Sequence, residues 1–160
     1  MTLSELIRPE GLLLDIEVSD KAALLDLLAD RAAQVFGLDR DLVLSKLSKR
    51  EELGSTGIGH GIALPHCPCT RIDAPALLFA RLKPAIEFQA VDERPVDLVL
   101  MLLLPKGSAA QHLPVLSMAA RVLRQPDVAK ALRHATAEEI PAIFHRAAAT
   151  VDEEKRSADL

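Results

Sequence analysis

The stretch DLVLMLLL, at Asp97–Leu104, is apolar along almost its whole length and is followed by Pro105. Such a run is typical of a strand that is covered on both faces of its sheet. Further strands are predicted at residues 12–18, at Ala76–Leu82 and at Ile86–Phe88. The chain must therefore provide helices for both faces of one sheet.

Helical periodicity supplies those helices. Lys21–Phe36 places Leu24 and Leu28 on one face, and Gly37 stands where a left-handed residue commonly ends a helix. The other helices are predicted from about Asp39 or Asp41 to Glu52, at Asp127–Arg133 and at Ala137–Ala148. This arrangement predicts an α/β protein, a three-layer α/β/α sandwich, as a single domain over residues 1–149. Residues 150–160 are predicted to form a flexible tail.

One further helix has two possible starts. Ser108 and Gln111 fit a capping box, but that start places Pro114 in the helix interior, at a cost of about 3 kcal/mol. A start near His112 puts Pro114 in the first turn and avoids that cost. We therefore expect the helix to begin near His112. Its buried stripe is then predicted to be Leu113, Leu116, Ala120 and Leu123.

Composition excludes several classes of function. The 160 residues carry 19 Lys and Arg against 23 Asp and Glu, a formal net charge of −4, and contain no Trp or Tyr. Nucleic-acid binding needs clustered positive charge or aromatic platforms, so no nucleic acid is expected as a partner. The longest apolar run is far shorter than the roughly 20 residues of a membrane helix, so no membrane insertion is expected. Cys67 and Cys69 are too close in sequence for a relaxed disulfide, and we expect a cytoplasmic protein.

A glycine-rich segment, GSTGIGHGIALPHCPC at Gly54–Cys69, is the first candidate for chemistry, because it holds four of the seven glycines. Backbone of this kind can aim several N–H groups at one anion. Within it, Pro65 stiffens the backbone that presents the ring of His66. A neutral imidazole is a good nucleophile when a carbonyl holds its other nitrogen protonated. His66 is therefore a candidate acceptor of a phosphoryl group, and a surface-loop histidine is the alternative.

Two more residues qualify as companions of that histidine. Arg50 offers forked donors to phosphate oxygens, although with its charged neighbours it also fits a solvated helix face. His112 lies at a predicted helix start, where the helix dipole keeps an imidazole neutral and free N–H groups attract an anion. A histidine in that place also fits a simple helix cap.

The histidines and cysteines of this segment raise two alternatives, a metal site and a reactive thiol. His60, His66, Cys67 and Cys69, with His112 as an addition, have ligand types that zinc accepts. Their spacing matches none of the usual zinc patterns, so no metal is expected. Cys67 as a nucleophile would need His66 as its base, but adjacent side chains on an extended segment point to opposite sides.

Three motifs together resemble a known family. They are LGSTGIGHGIALPH (Leu53–His66) preceded by Arg50, PVDLVLMLLLP (Pro95–Pro105) and QHLPVLSMAARVL (Gln111–Leu123). This combination resembles the enzyme IIA domains of the fructose/mannitol class in the bacterial phosphotransferase system, and most of all their stand-alone, nitrogen-regulatory branch. The resemblance covers nearly the whole chain.

That resemblance implies a mixed sheet between helical layers and the activity of a phosphotransferase. The histidine phosphocarrier would accept phosphate on Nε2 of His66 from an HPr-like carrier protein, and no cofactor is expected. Arg50 would stabilise the equatorial charge and His112 would donate a hydrogen bond. In the same pattern, His60 stands where Asn is common and Cys67 where Gly is usual.

Two surfaces are expected around this site. Gly57, Gly59 and Gly61 are predicted to form a phosphoryl-binding loop through their backbone amides. An apolar docking face for the carrier is predicted around the active histidine. Its candidate residues are Ile58, Ile62 and Leu64.

Three functions remain open at this point. In the first, a regulatory phosphocarrier controls target proteins by its phosphorylation state, and the resemblance suggests potassium-transport or sensor-kinase components as targets. In the second, a sugar-specific IIA component passes its phosphate to a IIB domain. In the third, Cys67 and Cys69 belong to a metal-binding or thiol-sensing module.

Overall fold

Strand β6 occupies the middle of the sheet and determines where the other strands lie. The six strands are β1 (Leu12–Ile16), β2 (Gly57–Gly59), β3 (Ile62–Ala63), β4 (His66–Pro68), β5 (Ala76–Ile86) and β6 (Val96–Leu104). β5 pairs antiparallel with one edge of β6, and β1 adds parallel to β5. The other edge of β6 pairs parallel with β3 and, further along, with β4, while β2 lies antiparallel to β3. The sheet is therefore mixed. The structure is a computed structural model that describes residues 2–148.

Helices cover both faces of this sheet. They are α1 (Leu3–Leu6), α2 (Lys21–Phe36), α3 (Arg40–Glu52), α4 (Ala109–Arg124), α5 (Pro126–His134) and a helix over residues 140–148. Because side chains alternate along a strand, Val99 and Met101 of β6 pack under α2 and α3. Leu100 and Leu102 face the other core, to which the remaining helices contribute. The predicted single-domain, three-layer α/β/α sandwich is confirmed.

The first two long helices begin and end at residues that suit those positions. The Asp20 carboxylate accepts a hydrogen bond from the Ala23 amide at 2.8 Å, and Asp39 caps α3 in the same way through the Leu42 amide at 3.1 Å. Gly37 ends α2 with a φ of 67°, a left-handed conformation that glycine adopts without strain. The predicted bounds of α2 and α3 are therefore confirmed.

Two strand predictions need correction. β1 ends at Ile16 rather than at residue 18, because Asp15 has a positive φ of 55° and the pairing with β5 shifts register there. Ile86–Phe88 is not a separate strand, since β5 continues to Ile86. The exposed residues 83–85 belong to the same strand, because pairing with β6 resumes between Ile86 and Val96.

The predicted start of α4 near His112 is wrong. Ser108 is the N-cap, its hydroxyl accepts from the Gln111 amide, and the Gln111 side-chain oxygen accepts from the Ser108 amide at 2.8 Å. This capping box satisfies two backbone donors and offsets the cost of Pro114 inside the helix. The predicted buried stripe is also wrong in part, because Leu113 is exposed. The buried residues of α4 are Ala119, Val122 and Leu123.

The C-terminal predictions are met in part. The α5 prediction is confirmed, whereas residues 137–139 of the next predicted helix form a turn and the helix itself begins at residue 140. The predicted tail at 150–160 lies outside the described residues. Within residues 2–148, no helix has the length and apolar character to cross a membrane.

Candidate active site

His66 lies on an edge of the sheet, as the first residue of β4. It stands opposite Leu102 of β6, and the carbonyl of Pro65 just before it accepts a hydrogen bond from the Leu102 amide at 3.0 Å. Backbone pairing on β6 therefore holds the histidine in place, and its ring is half-buried rather than enclosed.

The two ring nitrogens of His66 have different partners. Nδ1 lies 2.9 Å from the carbonyl oxygen of Leu64. Because a carbonyl can only accept, Nδ1 carries the proton and donates it. Nε2 of the neutral ring then holds the lone pair, and it accepts a hydrogen bond from Nε of Arg50 at 3.3 Å.

The surroundings of His66 favour its neutral form. Burial lowers the pKa of His66 below the ordinary 6.5, and the Arg50 guanidinium lowers the pKa further by charge repulsion. The hydrogen bond to the Leu64 carbonyl raises the pKa, but it does not outweigh burial. At neutral pH the ring is therefore uncharged, which is the state that a nucleophilic nitrogen requires.

Arg50 comes from the last turn of α3, which packs beside β4. Its Nη1 donates to the Gly54 carbonyl at 2.8 Å, so the guanidinium is fixed at two points. Within residues 2–148 its Nη2 has no protein partner. A planar guanidinium held in this way presents donors to an anionic group attached to Nε2 of His66.

A buried carboxylate supports this end of α3. Glu51 accepts hydrogen bonds from the Thr56 amide at 3.2 Å and from the Thr56 hydroxyl. It also forms an ion pair with Lys21 of α2, whose Nζ lies 2.7 Å away. The network ties the last turn of α3 to the segment after Gly54. The sequence gives no sign of it, because the partners of Glu51 come from separate elements.

His112 lies in α4, near the end of β6. Its Nε2 donates to the carbonyl of Pro105 at 2.7 Å, which leaves Nδ1 with the lone pair in the neutral ring. Its own backbone amide donates to Ser108 and is not free for an anion. Repulsion by a protonated His112 is the smallest of the named causes of the lowered pKa of His66.

The glycines predicted to bind phosphate have other neighbours. A side chain at Gly57 would come within 2.7 Å of Ala90, one at Gly59 would touch Asp92, and one at Gly61 would collide with Arg133. β3, which follows Gly61, pairs with the start of β6, about four residues or 13 Å along that strand from the partner of His66. Gly59 and Gly61 therefore belong to the turn at the far end of β3, away from the ring of His66.

The side chains of the two cysteines are buried in the core, and His60 is exposed in the turn between β2 and β3. Cys67 points into the core under α2 and α3, and burial raises the pKa of its thiol to about 12. Cys69 is buried in the same core, and both thiols are free. Within the described part of the chain, no three His, Cys, Asp or Glu side chains come together as metal ligands. The alternative of a metal-binding or thiol-sensing module gains no support.

Two exposed leucines follow Arg50 and His112 in sequence, and they differ from the apolar residues predicted for the docking face. Ile62 and Leu64 are buried in the core, and Ile58 is partly buried against it. Instead, Leu53 follows Arg50 at the end of α3 with 85% of its surface exposed. Leu113 follows His112 and is 61% exposed. The prediction that Ile62 takes part in the docking face was wrong because β3 is covered on both faces of the sheet.

Comparisons with known proteins identify the family of this chain. The family model described as "Phosphoenolpyruvate-dependent sugar phosphotransferase system, EIIA 2" matches residues 5–147. A nitrogen regulatory protein of Bradyrhizobium diazoefficiens is 41% identical over 133 residues, 83% of this chain and 87% of that protein. The crystal structure of nitrogen regulatory protein IIA-Ntr from Neisseria meningitidis has a TM-score of 0.83 at 32% identity, covering 89% of this chain and 98% of that one.

A more distant structure shares the fold. It is the complex of the mannitol enzyme IIA with phosphorylated enzyme IIB from Escherichia coli, with a TM-score of 0.73 at 17% identity. The alignment covers 87% of this chain and 96% of that chain.

Fold and similarities together define a phosphotransferase that works as a histidine phosphocarrier. The chain belongs to the EIIA 2 family of the phosphoenolpyruvate-dependent sugar phosphotransferase system, and the predicted resemblance is confirmed. Its similarity to nitrogen regulatory proteins favours that branch over the sugar-specific alternative.

Proposed function

We propose that this protein accepts a phosphoryl group on Nε2 of His66 from the phosphohistidine of an HPr-like carrier protein. The observation that carries the proposal is the unequal use of the two ring nitrogens. Nδ1 is committed to the Leu64 carbonyl, while Nε2 keeps its lone pair beside the Arg50 guanidinium in a half-buried ring.

The transfer exchanges one N–P bond for another. The lone pair on Nε2 of His66 attacks phosphorus and forms the new bond. The bond from phosphorus to the donor imidazole breaks, and its electron pair returns to the donor nitrogen. Attacking and leaving nitrogens lie in line, with charge spread over the three equatorial oxygens. The Leu64 carbonyl stabilises the reaction because Nδ1 keeps its proton throughout.

Arg50 and His112 act on the phosphoryl oxygens in different ways. When Nε2 of His66 becomes bonded to phosphorus, Nε of Arg50 is released and donates to an oxygen together with Nη2. His112 keeps its Nε2 proton on the Pro105 carbonyl. A hydrogen bond from His112 to a phosphoryl oxygen therefore comes from Nδ1, after this atom takes up a proton from solvent.

We infer that the exposed side chains of Leu53 and Leu113 lie in the docking face for the carrier. They flank the two companions of His66, and apolar side chains with a polar surround are typical of transient interfaces. The same face suits a IIB domain, since the mannitol IIA is found in complex with phosphorylated IIB.

The regulatory role rests on similarity to nitrogen regulatory proteins. On this proposal, phosphorylation of His66 adds about two negative charges to the docking face and changes which proteins it binds. Potassium-transport and sensor-kinase components are the proposed targets. We also propose a cytoplasmic location, as in the sequence-based expectation.

A phosphotransfer assay tests the proposal. The full chain is incubated with phosphoenolpyruvate, enzyme I and an HPr-like protein, and we expect a mass increase of about 80 Da that is stable in base and lost in acid. His66→Ala is expected to take up no phosphate, whereas His134→Ala, at an exposed histidine of α5, is expected to react fully. A full label on His66→Ala would refute the assignment. Phosphate transfer from the labelled protein to a purified IIB domain would favour the sugar-specific alternative.

A further inference from the structure

A second polar cleft lies at the opposite end of β6 from the active ring. It has a volume of about 540 Å³ and lies where β3, the start of β6, α4 and α5 meet. Gly61 lines it, and the Gly61 carbonyl accepts hydrogen bonds from the amides of Asp97 and Leu98. The partner of His66 on β6 is Leu102, about four residues or 13 Å further along the strand. The cleft is therefore separate from the phosphoryl site.

Its lining is positively charged. Three arginines and one carboxylate contribute: Arg94, Arg124, Arg133 and Asp97. Arg133 is already neutralised, because it donates to both oxygens of Asp97 at 2.8 and 3.0 Å and to the His60 carbonyl at 2.8 Å. This pair forms a fixed wall of the cleft.

The other two guanidiniums are available. Arg124 forms no ion pair within residues 2–148, and Arg94 has only a loose contact of 4.0 Å with Asp92. Arginine side chains that line one concavity without close partners provide forked donors for phosphate or carboxylate oxygens. Arg124, which has no ion pair among the described residues, and the loosely paired Arg94 thus line the same cleft.

A helix terminus adds to this charge. α5 has nine residues and begins at Pro126, which also lines the cleft, and its N-cap residue Gln125 makes no side-chain capping bond. Nε2 of Gln125 is buried and has no acceptor among residues 2–148. Through Pro126, the positive end of the α5 dipole also lies at the cleft and adds to the attraction of an anion.

We infer that this cleft binds a small organic anion that carries phosphate or carboxylate groups. Its volume falls within the range of small-molecule sites and exceeds what a bare ion fills. Arg94 and Arg124 contact the charged groups, while Arg133 and Asp97 shape the wall. The inference does not depend on the role of His66.

Titration calorimetry of the full chain with glycerol 3-phosphate and with glutarate tests this site, and the comparison of the two identifies the preferred head group. We expect at least one of them to bind. Arg94→Ala and Arg124→Ala should each weaken binding by about tenfold, since each removes a charge-assisted contact. Arg121→Ala, an exposed arginine of α4 outside the cleft, is the matched control and should bind as the wild type does.

Three results would overturn the inference. They are no binding of either probe, equal weakening by Arg121→Ala, and loss of binding in His66→Ala. The last result would place the anion in the phosphoryl site instead. Retained binding in His66→Ala, with loss in the two cleft variants, supports the cleft whatever the outcome of the phosphotransfer assay.

Discussion

The protonation of one imidazole controls the proposed chemistry. Because burial and the Arg50 charge lower the pKa of His66, its ring takes up a proton and loses its nucleophilic lone pair at a lower pH than an ordinary histidine does. We expect an NMR titration of the His66 ring to give a midpoint below 6.5, and the acidic limb of the phosphotransfer rate to follow it. A midpoint at or above 6.5 would contradict the desolvated environment.

The guanidinium of Arg50 contributes geometry as well as charge. Arg50→Lys keeps the positive charge but cannot hold the Gly54 carbonyl and the His66 ring with one planar group. Losing one charge-assisted contact of about 1.5–3 kcal/mol predicts a transfer rate roughly 10- to 100-fold lower. Quench-flow with the phosphorylated carrier measures it. Lys49→Ala, which removes the exposed neighbouring charge, should change the rate little; an equal loss would show that charge alone matters.

The thiol beside the active histidine is predicted to be inert. Burial raises the pKa of Cys67 to about 12, so almost no thiolate forms near neutral pH. We expect a colorimetric disulfide reagent to leave Cys67 unmodified in the native protein and to react with it after denaturation in guanidinium chloride. Fast reaction of the native Cys67 thiol would restore the thiol-sensing alternative.

Residues whose partners are close in sequence were predictable, and those with distant partners were not. His66 and the backbone that holds its Nδ1 proton lie two residues apart, so the stiff Leu64-Pro65 support pointed to this arrangement. Glu51, by contrast, meets Lys21 from α2, and local sequence shows only a charged helix end. The prediction that Ile62 belongs to an exposed docking face was wrong for the same reason, because both faces of β3 are covered.

The last turn of α3 is the element that places Arg50, and Glu51 fixes it. Glu51→Gln removes the charge that pairs with Lys21 and one of the acceptors for Thr56. We expect a loss of about 1–3 kcal/mol in the free energy of unfolding, measured by urea titration, and slower phosphotransfer at a temperature where the variant is folded. The exposed neighbour gives the control Glu52→Gln, for which both quantities should stay near wild type. Destabilisation with unchanged transfer would remove Glu51 from the positioning of Arg50.

Helix α4 shows why an element's start was harder to predict than its existence. Two opposing effects lie within seven residues of the sequence. The capping box at Ser108 favours the early start of the helix, and the proline at position 114 disfavours it. Reciprocal capping satisfies two backbone donors, whereas Pro114 removes a single helical hydrogen bond, so the longer helix forms. The consequence is functional, because His112 then lies in the second turn and takes its orientation from the Pro105 carbonyl.

At the scale of the whole molecule, the proposed phosphoryl acceptor and the proposed docking face for the carrier lie at the same end of the sheet. Leu53 and Leu113 come from different helices and are both largely exposed, so substituting them leaves the core intact. We expect the double variant Leu53→Asp, Leu113→Asp to unfold at the wild-type denaturant concentration. Its KM for the phosphorylated carrier should rise by about tenfold or more, because charged groups disfavour an apolar contact.

The control for this docking face is Val91→Asp, an exposed apolar residue beside Gly59 at the other end of β3. It introduces the same kind of charge, one carboxylate against two in the double variant, but it lies away from His66, so its KM should equal that of the wild type. A similar rise in KM for Val91→Asp would mean that net charge, and not a local surface, governs the encounter. An unchanged KM in the double variant would mean that the carrier reaches His66 without contacting either leucine.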